Sequence, residues 1–146
     1  MPNRIVVDAS VVLKWYLDDE EHCTQACLLR DDISAGALDV VVPSLLLYEV
    51  ANALNVAVNR ARLLVTDPQT IMNNLITFGL PPVEGEALVV QALSLAQSHG
   101  RSVYDAAYLA LAQALSIPLY TGDKRLYNAV HPALPWVLWI GDYPAH

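Results

Sequence analysis

RIVVD, residues 4–8, is a short, largely β-branched run that ends at an acidic residue. Such runs are typical of parallel strands, because helices cover both faces of a parallel sheet and no position needs to be polar. Ser10 follows Asp8 closely and can cap a helix over residues 11–17. The segment therefore predicts a strand followed directly by a helix, with one carboxylate at the carboxyl end of the strand.

The same alternation of strand and helix patterns continues through the chain. Further strands are predicted at residues 40–42, 117–121 and 136–140, and a short extended piece at residues 80–83. Helices are predicted at residues 20–34, 44–60, 86–98, 102–116 and 123–130, and one more begins at Asp67-Pro68. Strands that alternate with helices predict an α/β fold, a three-layer sandwich around a mostly parallel central sheet. The length of 146 residues is that of one compact domain, so we expect a single domain over residues 1–146.

Charge and hydropathy restrict the class of protein. Fifteen acidic residues against eight basic ones give a net charge of −7, which argues against a general nucleic-acid binder with a long basic groove. The longest apolar run, residues 106–120, contains a glutamine and a proline and is shorter than the ~20 residues that cross a bilayer. The N-terminus has no basic region followed by an apolar stretch, the pattern of a signal peptide. We therefore expect a cytoplasmic protein with no membrane partner.

Three acidic residues stand at the ends of predicted strands or the start of a helix. Asp8 ends the first strand, and Asp123 follows the strand at 117–121 with only Gly122 between. In open parallel sheets ligands bind outside the carboxyl ends of the strands, so these two carboxylates can converge although they are far apart in sequence. Asp105 opens a helix, where the positive end of the helix dipole favours a carboxylate.

Glu49 lies inside an otherwise apolar stretch of the helix at 44–60. An ionised glutamate among apolar residues is costly unless it is paired with a cation or bound to a metal. Asn52 follows three residues later on the same helix face and can support it. Glu49 is therefore a fourth candidate for the same site.

Four carboxylates at one point repel one another, and their pKa values rise unless something compensates. No basic residue is placed by these sequence patterns to do so. A hard divalent cation would compensate, and ligand sets made only of oxygen suit Mg²⁺ or Mn²⁺. The chemistry that follows is attack of a metal-activated water on a phosphodiester. Each acid alone is explained by a turn or a helix cap, as are the hydroxyls of Ser10 and Thr121, so the interpretation depends on the set.

Four segments carry a resemblance to a known family: DASVVLKWYLDDE (8–20), PSLLLYEVANAL (43–54), SVYDAAYLALA (102–112) and LYTGDKRL (119–126). In order and spacing they resemble the motifs of PIN-domain proteins, and more closely the VapC-type ribonuclease toxins of toxin–antitoxin pairs. The resemblance implies metal-site acids at Asp8, Glu49, Asp105 and Asp123, and supporting polar residues at Ser10, Asn52 and Thr121. It also implies Mg²⁺- or Mn²⁺-dependent cleavage of RNA, homodimerisation, and inhibition by a small cognate antitoxin protein.

Other functions remain open on the sequence. Receiver domains and haloacid-dehalogenase-like phosphatases also place an aspartate after the first strand, but they need a second acid where this chain has Ala9 or Ser10. A non-catalytic module that binds a cation is a second alternative. A housekeeping RNA-processing PIN nuclease is a third, and a short upstream reading frame for a DNA-binding antitoxin would argue against it.

The helix at 44–60 is apolar around most of its circumference, and residues 71–78 add further apolar side chains. A groove between two such helices can accept an amphipathic antitoxin helix. We expect Leu46, Val50 or Ile76 to contribute to that groove, the alternative being that they belong to the core or to a homodimer surface.

Overall fold

The computed structural model describes residues 3–64 and 67–145, and its centre is a five-stranded sheet. The strands are β1 (Asn3–Val7), β2 (Leu38–Pro43), β3 (Pro82–Val83), β4 (Leu119–Thr121) and β5 (Val137–Trp139). Their order is β3-β2-β1-β4-β5, and every pairing within it is parallel. The α/β prediction is confirmed.

The strands alternate with helices, and the handedness of the connections places those helices on the two faces of the sheet. The helices are α1 (Ala9–Leu13), α2 (Cys23–Ser34), α3 (Leu46–Asn59), α4 (Asp67–Phe78), α5 (Glu86–His99), α6 (Val103–Leu115) and α7 (Lys124–Val130), and a 3₁₀ turn (Ile140–Asp142) follows β5. Because crossovers between parallel strands are right-handed, α1 to α4 cover one face of the sheet and α5 to α7 the other.

The central strands are buried because both faces are covered. Ile5, Val6 and Val7 on β1 are all buried, as the uninterrupted apolar run predicted. α6 packs on β1 and β2 and buries most of its length against them and α5. In the part of the chain that the structure describes, no helix is both long and apolar enough to span a bilayer.

The first helix begins and ends earlier than predicted. Asp8, and not Ser10, is its N-cap, because the Asp8 carboxylate accepts a hydrogen bond from the Val11 amide. Ser10 lies inside α1, which ends at Leu13 instead of residue 17. The next helix also starts later than predicted, at Cys23, since His22 adopts a left-handed conformation with φ of 61°. The acidic residues between these helices lie in turns.

The predicted antitoxin groove on α3 is wrong for two of its three residues. Leu46 and Val50 are 0 % exposed and belong to the core, whereas Ile76 on α4 is 59 % exposed. α3 is apolar around its circumference because one side faces α1 and another faces α4. Only Ile76 of the three can contact a partner without unfolding the protein.

Candidate active site

The candidate site lies at the carboxyl ends of β1 and β4, the central pair of strands. The chain moves from β1 outward through β2 to β3, then returns to the other side of β1 with β4. This reversal separates the connections that follow β1 and β4, and such a crevice is where parallel α/β sheets bind ligands. Asp8 directly follows β1, and Asp123 follows β4 after Gly122.

Asp8 is held by three protein donors. The Ser10 hydroxyl donates to Oδ1 and the Thr121 hydroxyl donates to Oδ2, the latter at 2.5 Å. The Val11 amide also donates to Oδ1, at 3.2 Å. Asp8 is only 5 % exposed, and this burial raises its pKa to about 6 although the hydrogen bonds from Ser10, Thr121 and Val11 oppose the rise. Ser10 and Thr121, which were predicted as supporting polar residues of the site, thus both contact Asp8.

The same two hydroxyls join α1 to the turn between β4 and α7. Ser10 Oγ accepts a hydrogen bond from the Gly122 amide at 2.8 Å, and Thr121 Oγ1 accepts one from the Asp123 amide at 3.0 Å. Asp123 in turn caps α7, where its Oδ1 accepts from the amides of the second and third helical residues. The positions of the Asp8 and Asp123 backbones are therefore linked.

Gly122 lies in this turn at a close approach to the Lys14 side chain. A Cβ atom there would lie 2.4 Å from Lys14 Cε and 3.3 Å from Ser10 Oγ. The Lys14 side chain therefore lies across the turn, immediately beside the residue that precedes Asp123. Lys14 is 7 % exposed, an unusual burial for a lysine.

Asp105 lies in the first turn of α6, where Ser102 is the N-cap and accepts a hydrogen bond from the Asp105 amide at 3.0 Å. Arg101 Nε stands 3.9 Å from Asp105 Oδ2. Burial and then the charge of Asp123 raise the pKa of Asp105, while Arg101 and Ser102 lower it. The expectation that no basic residue is placed to compensate the acids is therefore wrong for Asp105.

Glu49 on α3 is held by a residue that the sequence analysis missed. Tyr108 Oη donates a hydrogen bond to Glu49 Oε1 at 2.5 Å. Burial raises the pKa of Glu49, the bond from Tyr108 lowers it, and the charge of Asp105 raises it again. Tyr108 follows Asp105 by three residues on α6, and this helical spacing was the available signal. Asn52 lies exposed on the next turn of α3, and its supporting role stays a prediction.

The four predicted acids share one electrostatic environment. Asp123 raises the pKa values of Asp8 and Asp105, and Asp105 raises that of Glu49. Within the described residues, however, no three His, Cys, Asp or Glu side chains are close enough together to hold one metal ion as they stand. The carboxylates of Asp8, Glu49 and Asp123 accept hydrogen bonds from protein donors instead. The all-carboxylate donor set fits a hard divalent cation, which would have to draw these oxygens together.

Comparison with known proteins places the chain in a family. A model of the PIN domain matches residues 5–131, so the chain belongs to the PIN-domain family. Among curated proteins the chain is similar to the ribonuclease VapC3 of Pyrobaculum aerophilum, with 33% identity over 125 residues, 84% of this chain and 92% of the relative. A 37-residue segment is 57% identical to the ribonuclease VapC1 of Mycobacterium tuberculosis, covering 25% of this chain and 26% of the relative.

The fold is similar to that of a solved structure. The crystal structure of PAE2754 from Pyrobaculum aerophilum superposes with a TM-score of 0.65 at 22% identity, over 96% of this chain and 92% of that one. The predicted PIN-like sandwich is thus confirmed in both sequence and fold.

Proposed function

We propose that this protein is an endoribonuclease that depends on Mg²⁺ or Mn²⁺ and acts as the toxin of a type II toxin–antitoxin pair. The two curated relatives described above are named ribonucleases of the VapC type. The reaction is hydrolysis of an RNA phosphodiester, in which a water oxygen adds to phosphorus while the bond to the leaving sugar oxygen breaks.

The observation that carries this proposal is the position of Asp8 and Asp123 at the carboxyl ends of the adjacent strands β1 and β4, with Asp105 close enough to respond to the charge of Asp123. Asp105 and Asp123 each raise the pKa of another site acid, and burial raises that of Asp8 to about 6. Arg101 is the one cation paired with these four acids in the described residues, and at 3.9 Å from Asp105 it compensates a single charge. A site that concentrates uncompensated carboxylates is suited to bind a divalent cation.

Asp8, Glu49, Asp105 and Asp123 would hold the cation, which when bound supplies water activation and stabilises negative charge on the phosphate oxygens. The chain itself supplies the positioning. Ser10 and Thr121 fix both oxygens of Asp8, and Tyr108 fixes one oxygen of Glu49. Hydrogen bonds to ligating carboxylates orient them and typically affect metal affinity or activity by about 10- to 100-fold.

A cleavage assay on structured RNAs tests the proposal. The wild type is expected to cleave with Mg²⁺ or Mn²⁺ and to stop with EDTA, and Asp105→Asn should be inactive with either cation. Asp31→Asn is the matched control, since Asp31 is an exposed acid on α2 paired with Arg30 and away from the site. Cleavage by Asp105→Asn at the wild-type rate would refute the mechanism.

The proposal includes two protein partners, a second copy of the chain and a small cognate antitoxin. It is supported by the large apolar side chains that α5 exposes, among them Val89, Val90 and Leu93, since such patches mark protein interfaces. Light scattering of the purified protein tests the dimer, with Leu93→Glu expected to give monomers. Co-purification with the product of a short neighbouring reading frame tests the antitoxin, and Ile76→Asp is expected to weaken that complex.

A further inference from the structure

The basic residues of this acidic protein are unevenly distributed around the fold. Of the eight, Arg30 and Arg62 pair with neighbouring acids at 3.1 and 2.7 Å. Arg4 is the second residue of β1, at the end of that strand opposite Asp8, and Arg60 follows the end of α3. The remaining four lie around the turn between β4 and α7: Lys14, Arg101, Lys124 and Arg125.

Lys14 brings a positive charge into this turn without a carboxylate partner. Its Cε atom occupies the space beside Gly122, the same space that Ile140 Cγ2 and Ser10 Oγ border. Among the described residues no acid lies within 4.0 Å of its ammonium group. Burying a lysine costs free energy unless its charge is compensated, and a phosphate oxygen would compensate it.

Lys124 lies on the same side of the turn, over an aromatic surface. Its Nζ is 4.5 Å from the centroid of the Trp139 ring and 5.7 Å from that of Tyr127. Trp139 on β5 pairs in register with Thr121 on β4, which places it next to the site. The cation–π contacts hold this ammonium group above β5 and leave it without a carboxylate partner in the described residues.

The side of the acid cluster that faces α5 and β3 is apolar and acidic, not basic. The first turn of α6 separates the two sides. On the α7 side, Arg101 donates a hydrogen bond to the Arg125 carbonyl. On the α5 side, Tyr104 lines a cavity. That cavity, about 570 Å³, has mostly apolar walls. Its charged lining residues among the described ones are Glu84 and Glu86, which would repel an RNA backbone.

We propose that the bound RNA leaves the acid cluster on the α7–β5 side, where Lys14 and Lys124 contact backbone phosphates, and not on the side of α5 and β3. This inference rests on the proposed function for the identity of the ligand. It assigns a direction to the substrate across the sheet edge, from Asp105 past Asp123 toward Trp139.

The test measures how RNA binding depends on salt. A fluorescently labelled, mixed-sequence single-stranded RNA is titrated with the Asp105→Asn protein in Mg²⁺ at several KCl concentrations. Each phosphate contact contributes about 0.7 to the slope of log affinity against log salt for single strands. Lys124→Gln and Lys14→Met, which keeps the buried apolar stem, should each lower the slope by about that amount. The Arg60→Gln control should leave it unchanged.

A second measurement uses the otherwise wild-type enzyme on the structured RNA. Lys124→Gln and Lys14→Met should raise KM by roughly three- to tenfold, with a smaller effect on kcat, as is typical of lost phosphate contacts. Because Lys124 is exposed, its substitution keeps the test valid even if Lys14→Met fails to fold.

Three results would overturn the inference. The first is that Arg60→Gln changes the salt slope as much as Lys124→Gln does. The second is that neither lysine variant changes it. The third is that Tyr104→Ala or Glu86→Gln changes KM more than the lysine variants, which would place the RNA on the other side. Failure of the proposed function is distinct: the wild type would then cleave no RNA in Mg²⁺ or Mn²⁺, whatever the salt slopes are.

Discussion

Replacing Asp8 by asparagine should stabilise the protein in the absence of divalent cations while abolishing its activity. Asp8 is buried, its carboxylate lies near Asp123, and its pKa is raised to about 6. At neutral pH the folded protein therefore carries a charge that its environment disfavours. Asparagine has nearly the same shape without that charge, so it should relieve the cost and remove a metal ligand at once.

The size of the effect follows from the pKa. Folded Asp8 keeps its proton up to about pH 6, whereas an unfolded aspartate releases it near 3.8. Between these two pH values the folded protein binds more protons at Asp8 than the unfolded protein does. The protonated Asp8 therefore contributes fully to the free energy of unfolding below about pH 4, and this contribution is lost as the pH rises through about 6. The difference of about two pKa units corresponds to about 3 kcal/mol at neutral pH. The new amide nitrogen must donate to one of the two hydroxyls that donate to Asp8, and this offsets part of the gain. We therefore expect Asp8→Asn to raise the free energy of unfolding by about 1–3 kcal/mol.

Urea unfolding of both proteins in EDTA measures this difference. Asp8→Asn should be the more stable protein at pH 7.5, and the gap should close as the pH falls to about 4. Added Mg²⁺ should then stabilise the wild type but not the variant, because a ligand that binds only the folded state raises its stability. Asp31→Asn controls for the general loss of one negative charge. A variant that is less stable than the wild type at pH 7.5 in EDTA would refute the electrostatic reasoning.

Further outcomes follow from the contacts around the site. Tyr108→Phe removes the hydrogen bond to Glu49, so the Mg²⁺ concentration for half-maximal cleavage should rise roughly tenfold with little change in thermal stability; an unchanged Mg²⁺ dependence would contradict this. Val50→Asp should fail to fold because the position is fully buried, whereas Ile76→Asp should unfold at the wild-type temperature; circular dichroism melts separate the two. Thr121→Val should lower the free energy of unfolding, measured in urea with Mg²⁺, by about 1–3 kcal/mol, and by more than Thr121→Ser does. The reason is that the Asp8 carboxylate and the Asp123 amide both lose the hydroxyl that they bond.

The parts of the fold that follow from periodicity and chain order were predictable. The run at residues 4–8 forms a central strand because three successive apolar residues can all be buried in a parallel sheet. The sequence LYTGD, residues 119–123, forms the neighbouring strand and the turn that carries Asp123. The convergence of these two strand ends was therefore accessible without coordinates.

The contacts made across the fold were not predictable from local patterns. Tyr108 reaches Glu49 from a different helix; its spacing from Asp105 places it beside the site but does not indicate Glu49 as its partner. Leu46 and Val50 lie on a helix that is apolar on several sides, so the sequence could not tell an interface from a core. The start of the first helix was also misplaced, because Asp8 and Ser10 are both good N-cap residues and only tertiary contacts decide between them.

Whether the four carboxylates hold a catalytic cation is tested by a divalent-cation titration of RNA cleavage, with protein stripped of metal by EDTA. We expect no cleavage before addition, recovery with Mg²⁺ or Mn²⁺ for the wild type and for Asp31→Asn, and no recovery at any concentration for Asp8→Asn. Cleavage that proceeds equally in EDTA, or that Asp8→Asn recovers in full, would contradict a site in which these carboxylates hold the cation.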